Sequence, residues 1–310
     1  MPVNVLFSAR PELWPVYEPL LSQGLAEAGL NVYLATDIEP DQVNYVVYAP
    51  NGGLLDFKPY SRLKAVLSLW AGVESIADNA TLTVPLARMV DHGLTQGMAE
   101  WVVGHTLRYH LGMDTHITQQ DGVWTPIAPP LATERTVCVL GLGELGQAAA
   151  QALAALNFRV LGWSRTEKDI QGVTCLHGAE GLRTALSQSE IVVLLLPDTP
   201  ATENTLNAAT LALMPKGAKI INPGRGPLID DNALLDALNT GQVGHATLDV
   251  FRIEPLPPEH PYWTHPNVTV TPHIASETRP VTAAQVICEN IQRGEAGEPF
   301  VHLVDRQLGY

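Results

Sequence analysis

Three side chains with complementary chemistry lie far apart in the sequence but in similar settings. Arg225, Glu254 and His273 each follow a short β-branched, apolar run that predicts a strand. An imidazole titrates near neutral pH and can donate a proton, and a nearby carboxylate favours its charged form and fixes its orientation. A guanidinium is a permanent cation whose planar fork suits a carboxylate. Taken singly, these residues are equally compatible with a surface arginine, a solvated glutamate and a histidine at a turn; together they indicate an acid–base site.

The strands that precede these residues belong to a longer series in the second half of the chain. The predicted strands are residues 136–140, 158–163, 191–196, 219–221, 245–250 and 268–271, and residues 232–238 resemble a helix. Strands that alternate with helices predict a doubly wound parallel sheet. Because ligands of such a sheet bind outside the carboxyl ends of its strands, we expect Arg225, Glu254 and His273 to converge there.

A glycine-rich turn, Gly141-Leu-Gly-Glu-Leu-Gly146, connects the first of these strands to an Ala-rich helix at residues 147–155. Gly141 permits a tight turn, Gly143 lets the backbone approach a pyrophosphate, and Gly146 allows the helix to pack closely on the strand. The helix N-terminus then offers N–H groups and the positive end of a dipole to the phosphates. A glycine turn without a ligand has the same spacing, but the strand–turn–helix setting favours a dinucleotide site.

The residues at the end of the predicted strand 158–163 indicate which dinucleotide would bind. An NAD-selective site usually places an acidic residue here, on the ribose 2′-hydroxyl. This chain has Ser164, Arg165 and Thr166 instead, and its first carboxylate is Glu167. Arg165 can bind a 2′-phosphate through charge-assisted hydrogen bonds and stack on adenine, and the two hydroxyls add donors. A solvated loop arginine is the alternative interpretation; the pattern favours NADPH over NADH.

The first part of the chain also alternates strands with helices. The predicted strands are residues 3–8, 31–36, 45–48 and 65–69, and the predicted helices are residues 14–28, one long helix at 95–120 and a final helix at 282–293. This alternation predicts a second parallel sheet. We therefore predict a dinucleotide-binding domain at residues 96–275, inserted into a substrate domain that comprises residues 1–95 and 276–310, with the active site in the cleft between the domains.

The composition of the 310 residues argues against several classes of protein. Hydrophobic residues make up 46% and charged residues 16%, which predicts a folded core rather than disorder. A formal net charge of −14 argues against nucleic acid or an anionic membrane as a partner. We expect no membrane span and no secretion signal. Because Cys138, Cys175 and Cys288 are odd in number and far apart, we predict a cytoplasmic protein without a disulfide framework or a metal site.

Four motifs follow one another in the order GLGELG, NPGRG, DVFRIEP and HPYWTHPNVTVTPHIA, within residues 136–275. In this order the sequence resembles the D-isomer-specific 2-hydroxyacid dehydrogenase family. WAGV at residues 70–73 and SRT at residues 164–166 are most similar to its glyoxylate/hydroxypyruvate reductase A branch. The family usually has a glycine where this chain has Ser276. The resemblance implies a Rossmann domain inserted into a flavodoxin-like substrate domain, and a homodimer to which the long helix would contribute a surface.

The resemblance also implies residue roles. Arg225 would bind the carboxylate and the carbonyl oxygen of the substrate, His273 would be the acid–base residue, and Glu254 would be its partner. Asp249 would hold the carboxamide of the nicotinamide. The implied substrate-binding residues besides Arg225 are Trp70, which would wall the pocket, and the backbone amides of Ala71, Gly72 and Val73. The complete predicted cofactor-binding set is Gly141, Leu142, Gly143, Glu144, Leu145, Gly146, Ser164, Arg165, Thr166, Leu196, Pro197, Thr202, Pro223, Gly224, Asp249 and Ala275.

These roles predict the reduction of small 2-oxo acids with NADPH, from glyoxylate to glycolate and from hydroxypyruvate to D-glycerate. Negative charge builds on the carbonyl oxygen as hydride reaches the carbonyl carbon, so a fixed cation at Arg225 is most useful in the transition state. His273 would protonate that oxygen. A nucleotide-sensing interaction protein, similar to the corepressors of the same family, is the alternative.

Overall fold

Two separate parallel sheets organise the protein. The computed structural model describes residues 2–118 and 120–310. The chain divides into two units, Met1–Leu94 with Glu277–Tyr310, and Thr95–Ser276. Within the described residues, no helix combines the length and the apolar character needed to cross a lipid bilayer.

The secondary-structure elements have the following bounds. The strands are β1 (Val3–Ser8), β2 (Val32–Ala35), β3 (Tyr45–Tyr48), β4 (Ala65–Ser68), β5 (Leu86–Ala87), β6 (Thr136–Leu140), β7 (Arg159–Ser164), β8 (Thr174–His177), β9 (Ile191–Leu194), β10 (Ala218–Asn222), β11 (Val243–Leu248) and β12 (Val268–Val270). The helices are α1 (Trp14–Glu27), α2 (Glu74–Ala77), α3 (His92–His110), α4 (Met113–Thr118), α5 (Glu144–Ala155), α6 (Gly178–Gln188), α7 (Ala208–Leu211), α8 (Asp231–Asn239) and α9 (Pro280–Ala296). All pairs between these strands are parallel.

The sheet of the first unit has the strand order β2-β1-β3-β4-β5. Every residue of β3 and β4 is buried, as expected for a parallel sheet that helices cover on both faces. The final helix α9 returns to this unit and packs against α1. Gly24 permits this close packing, because a Cβ at that position would lie 2.8 Å from the Sγ of Cys288. The strand order is that of flavodoxin-like folds, as predicted.

The sheet of the second unit has the strand order β12-β11-β10-β9-β6-β7-β8. The strand order reverses between β6 and β9, and in sheets of this kind ligands bind outside the carboxyl ends of the strands at such a reversal. Alternate residues of the central strands face opposite sides of the sheet: Val139 and Val193 pack in one core, and Leu140 and Leu194 in the other. The two parallel sheets with their helices confirm the predicted α/β fold.

The predicted single helix at residues 95–120 is wrong. The structure has two helices there, α3 and α4, and their bounds leave a break after His110. Gly112 in this break has a φ of +64°, a left-handed conformation that commonly ends a helix. An isolated glycine is also tolerated inside helices, which is why the sequence pattern did not indicate the break. Residue Gln119 of the predicted helix lies outside the described residues.

Candidate active site

The glycine-rich turn lies between β6 and α5. Gly141 has a φ of +102°, and a Cβ there would lie 2.4 Å from the carbonyl oxygen of Leu195. A Cβ at Gly146 would lie only 1.8 Å from the carbonyl oxygen of Gly141, so α5 can pack on the turn only with glycine at this position. At Gly143, by contrast, a Cβ would meet nothing within 4 Å. The first and third glycines are therefore required by packing, whereas the second faces open space.

That open space adjoins the N-terminus of a regular helix. Gly143 is the N-cap of α5, and among the described residues no side chain caps this end. The N–H groups of the first turn are consequently left for a ligand, and the helix dipole favours a negative one. The residues of the turn thus fit a dinucleotide pyrophosphate. Glu144 lies in the first turn and brings its own negative charge to this end of the helix.

The predicted 2′-phosphate residues lie at the end of β7. Arg165 is exposed, in the turn that follows this strand. The hydroxyl of Ser164 donates a hydrogen bond of 2.6 Å to the carbonyl oxygen of Thr166, so it shapes the turn. The exposed guanidinium is compatible with a phosphate partner. Phosphate binding by Ser164, Arg165 and Thr166 stays a prediction.

His273 and Glu254 form a direct pair. The Nδ1 of His273 lies 2.7 Å from Oε2 of Glu254, and the N–H of Phe251 donates to Oε1 of the same carboxylate at 2.9 Å. The hydrogen bond to Glu254 raises the pKa of His273 above its usual value, although burial and Arg225 act in the opposite direction. Burial alone would raise the pKa of Glu254, but the hydrogen bonds from His273 and Phe251 lower it. The pair therefore favours an imidazolium beside a carboxylate.

Asp249 anchors the backbone around His273. Its side chain is fully buried, and its carboxylate accepts hydrogen bonds from the Thr271 hydroxyl at 2.5 Å, the Ile274 N–H at 2.9 Å and the Ala275 N–H at 2.8 Å. Its carbonyl oxygen accepts from the His273 N–H at 2.8 Å. His273 has a φ of +54°, which few residues other than glycine adopt without support. Asp249 thus holds the loop that presents the imidazole, a contact that the resemblance did not imply.

Arg225 lies in the loop after β10, which Asn222 shapes. The side-chain amide of Asn222 donates to the carbonyl oxygen of Arg225 at 2.9 Å, and its oxygen accepts from the Gly224 N–H at 3.1 Å. Gly226 lies directly against the next loop, because a Cβ there would be 2.0 Å from the carbonyl carbon of Phe251. Asn222 was not singled out in the sequence, although an Asn before Pro-Gly is a turn signal that could have found it.

The structure brings Arg225, Glu254 and His273 to the same edge of the second sheet. They follow the adjacent parallel strands β10, β11 and β12, whose carboxyl ends lie side by side. The positive charge of Arg225 acts to lower the pKa of both His273 and Glu254, although hydrogen bonding to Glu254 dominates at His273 and its pKa is raised. A cation, a proton donor and its carboxylate partner are thereby available to one small anionic molecule.

The remaining cofactor candidates of the second unit lie on loops along this edge. Leu196 is buried, and Pro197 lies beside it. The hydroxyl of Thr202 donates to the carbonyl oxygen of Pro197 at 2.6 Å and therefore closes the loop on itself. Pro223 and Gly224 are buried before Arg225. Cofactor contacts of these residues stay predictions.

The predicted substrate residues Trp70, Ala71, Gly72 and Val73 lie in the first unit, between β4 and α2. The hydroxyl of Ser68 holds this segment, because it accepts from the N–H of Trp70 and donates to its carbonyl oxygen, both at 3.0 Å. Trp70 is 42% exposed. Substrate binding by the segment stays a prediction. No group of His, Cys, Asp and Glu side chains within the described residues could hold a metal ion.

Comparison with known proteins identifies the family. The model of the D-isomer specific 2-hydroxyacid dehydrogenase, NAD binding domain, matches residues 106–275. Glyoxylate/hydroxypyruvate reductase A of Yersinia enterocolitica is 44% identical over 256 residues, which are 80% of this chain and 82% of that protein. The protein of the same name from Serratia proteamaculans is 40% identical over 298 residues, 94% of each chain.

Solved structures agree with the sequence relatives. A D-isomer specific 2-hydroxyacid dehydrogenase from Xanthobacter autotrophicus, in complex with NADPH and MES, has a TM-score of 0.92 and 41% identity over 100% of both chains. An NADPH-dependent glyoxylate/hydroxypyruvate reductase from Sinorhizobium meliloti, with NADP and sulfate, has a TM-score of 0.84 and 35% identity over 100% of this chain and 99% of that chain. On the fold, the motifs and these relatives together, the chain belongs to the D-isomer specific 2-hydroxyacid dehydrogenase family.

Proposed function

We propose that this protein is a 2-hydroxyacid dehydrogenase that uses NADPH to reduce glyoxylate to glycolate and hydroxypyruvate to D-glycerate. The observation that carries the proposal is the His273–Glu254 pair at 2.7 Å, at the same carboxyl edge of the second sheet as Arg225. The names of the sequence relatives and the NADPH and NADP of the structural neighbours support the same activity.

The turn from Gly141 to Gly146 would hold the pyrophosphate of NADPH, and Arg165 the 2′-phosphate. The open space at Gly143, the uncapped start of α5 and the exposure of Arg165 support this assignment. When bound, NADPH supplies the hydride that reduces the carbonyl carbon. The protein contributes the position of the substrate, a counter-charge and a proton.

His273 supplies the proton. Glu254 accepts the Nδ1–H of the ring, which leaves Nε2–H to face a substrate carbonyl oxygen. Because Glu254 raises the pKa of His273, the ring stays protonated to higher pH than a free imidazole. The reduction of 2-oxo acids should therefore decline as the pH rises through that raised pKa.

Arg225 supplies the counter-charge. Its guanidinium donates in a planar fork, which suits a carboxylate together with the adjacent carbonyl oxygen of a 2-oxo acid. The same charge stabilises the oxygen as it becomes negative, and this interaction strengthens towards the transition state. An acid without the 2-oxo group lacks one of these acceptors and should be a poor ligand.

We further propose a cytoplasmic homodimer. Exposed apolar side chains support self-association, because a second copy could cover them: Ile117 is 69% exposed, Trp124 93% and Leu131 70%. The thiols of Cys138, Cys175 and Cys288 are unpaired, which supports a reducing compartment. Light scattering on the purified chain measures its mass; the 33.5 kDa of a single chain would contradict the dimer.

A steady-state assay tests the proposed function. Purified protein with NADPH should reduce glyoxylate and hydroxypyruvate. His273→Ala should lose about 10²–10⁴-fold in kcat and keep its affinity for NADPH. Arg165→Gln should raise the KM for NADPH but leave that for NADH nearly unchanged, because only NADPH carries the 2′-phosphate. Absence of turnover with every 2-oxo acid, together with intact NADPH binding, would refute the reductase and favour a nucleotide sensor.

A further inference from the structure

Arg252 lies in the DVFRIEP loop, between β11 and Glu254, and reaches the loop that follows β9. Its Nη1 lies 3.3 Å from Oε1 of Glu203, and its Nη2 donates a short hydrogen bond to Oδ1 of Asn204. Asn204 has a φ of +51°, so its backbone is in the left-handed region. Its N–H also donates to the carbonyl oxygen of Pro227 at 2.9 Å. The loop after β9 is therefore held both by Arg252 and by the loop that contains Pro227.

The same guanidinium binds that second loop, which follows β10. Nη2 donates to the carbonyl oxygen of Ile229 at 2.7 Å and lies 3.3 Å from that of Pro227. Nε lies 3.8 Å from Oδ2 of Asp231, at the start of α8. Carbonyl oxygens prefer donors that lie near the plane of the peptide, and a planar fork with five N–H groups can serve several of them at once. A lysine at this position would keep the charge and lose most of these bonds.

Each loop that Arg252 connects carries a residue of the candidate active site. Thr202 lies just before Asn204, Arg225 lies just before Pro227, and Glu254 lies two residues after Arg252 itself. The loop after β10 and the loop after β11 also touch directly, at Gly226. The distance between the Arg225 guanidinium and the Glu254 carboxylate consequently depends on how firmly these loops are held together.

We propose that Arg252 is a positioning residue, which fixes Arg225 and Glu254 relative to each other by binding the three loops. Arg252 itself does not touch the substrate. The proposal rests on the proposed function and deepens it. Because the side chain is 32% exposed, its ion pairs with Glu203 and Asp231 contribute little to stability. Its hydrogen bonds to the carbonyl oxygens of Pro227 and Ile229 are the contacts that set the geometry at the edge of the sheet.

The test compares Arg252→Lys, which retains the charge and loses the fork, with the parent protein. We expect kcat to fall about 10- to 100-fold, the order that a displacement near 1 Å produces, with little change in the KM for NADPH. The pH above which the reduction declines should also fall, because Glu254 holds His273 less firmly. Arg293→Lys is the matched control: Arg293 is 33% exposed and pairs with Glu289 on α9, in the first unit.

A second variant and a second measurement make the outcome decisive. Asn204→Gly removes the acceptor of one Arg252 bond and suits the positive φ, so it should fold and show a smaller loss in the same direction. NMR titration of the His273 ring, assigned with His273→Asn, should give a lower pKa in Arg252→Lys even without turnover. Unchanged kcat and an unchanged His273 titration in Arg252→Lys would overturn the positioning role. Absence of turnover in the parent would instead refute the proposed function, and the titration would still decide on Arg252.

Discussion

The substitution Asp249→Asn distinguishes two roles for the buried carboxylate of Asp249: binding the nicotinamide, and anchoring the loop that carries His273. The resemblance assigned Asp249 to the nicotinamide, whereas in the structure its carboxylate accepts hydrogen bonds from Thr271, Ile274 and Ala275. Asparagine has almost the same shape, but it replaces one carboxylate oxygen with an NH₂ group. That group would face N–H or O–H donors that need an acceptor.

The expected loss of stability in Asp249→Asn follows from those hydrogen bonds. At least one buried donor loses its acceptor, and a buried unsatisfied group costs about 1–3 kcal/mol. For a domain of 150–250 residues, about 2 kcal/mol lowers the Tm by roughly 4–8 °C. His273 has a φ of +54° and its N–H donates to the carbonyl oxygen of Asp249, so the loop should shift and move the imidazole. A shift near 1 Å would lower kcat by as much as about 10²-fold.

Thermal unfolding and steady-state kinetics of Asp249→Asn measure both effects. Asp236→Asn, the same chemical change on the exposed face of α8, controls for the loss of a negative charge. The anchoring role predicts a lower Tm and a lower kcat, with the KM for NADPH nearly unchanged. A variant with the Tm and kcat of the parent but a raised KM for NADPH would show that Asp249 serves the nicotinamide and that our reasoning is wrong.

Two further substitutions test other parts of the site. Glu254→Gln removes the interaction that raises the pKa of His273, so the reduction should decline at lower pH than in the parent; an identical pH profile of kcat/KM would exclude the pair from proton transfer. Gly146→Ala places a Cβ 1.8 Å from the carbonyl oxygen of Gly141, so the turn must open and NADPH affinity, followed by cofactor fluorescence, should fall by about tenfold or more; affinity equal to that of the parent would contradict a rigid pyrophosphate turn.

The parts of the fold that the sequence predicted well are those with strong local patterns. β6, the glycine turn and α5 follow from a β-branched run, three spaced glycines and an Ala-rich helix. The strands β9 and β10 follow from short apolar runs, because both faces of a central parallel strand are buried. In these segments local preference and tertiary environment agree.

Four of the elements that the sequence analysis did not name lack such a pattern: β5, β8, α2 and α7. β8 is an edge strand whose residues are exposed or only partly buried, so its composition is mixed and carries no apolar run. β5 has only two residues and exists because it pairs with β4. Helices α2 and α7, of four residues each, are too short to show a helical period. Tertiary pairing, rather than local sequence, defines these elements.

In the candidate site, the sequence indicates the reactive residues, whereas only the fold shows the hydrogen bonds that position them. Residue type alone did not single out His273 and Glu254; their joint pattern with Arg225, each residue after a predicted strand, did. The supports of these residues are hydrogen bonds between positions far apart in the chain, such as Asp249 to Ala275 and Arg252 to Ile229, and no local pattern predicts them.

The hydrogen bonds that hold the loop of His273 also explain how this reactive histidine can be both accessible and fixed in position. The side chain of His273 is 50% exposed and that of Glu254 is 35% exposed, so a small acid can reach the imidazole, but packing alone cannot hold either group. The Asp249 side chain is fully buried; its carboxylate accepts from the Thr271 hydroxyl before His273 and from the backbone N–H groups of Ile274 and Ala275 after it. The buried carboxylate of Asp249 therefore fixes the position of the exposed His273–Glu254 pair. For this reason we expect Asp249→Asn to impair turnover, although Asp249 need not touch the substrate.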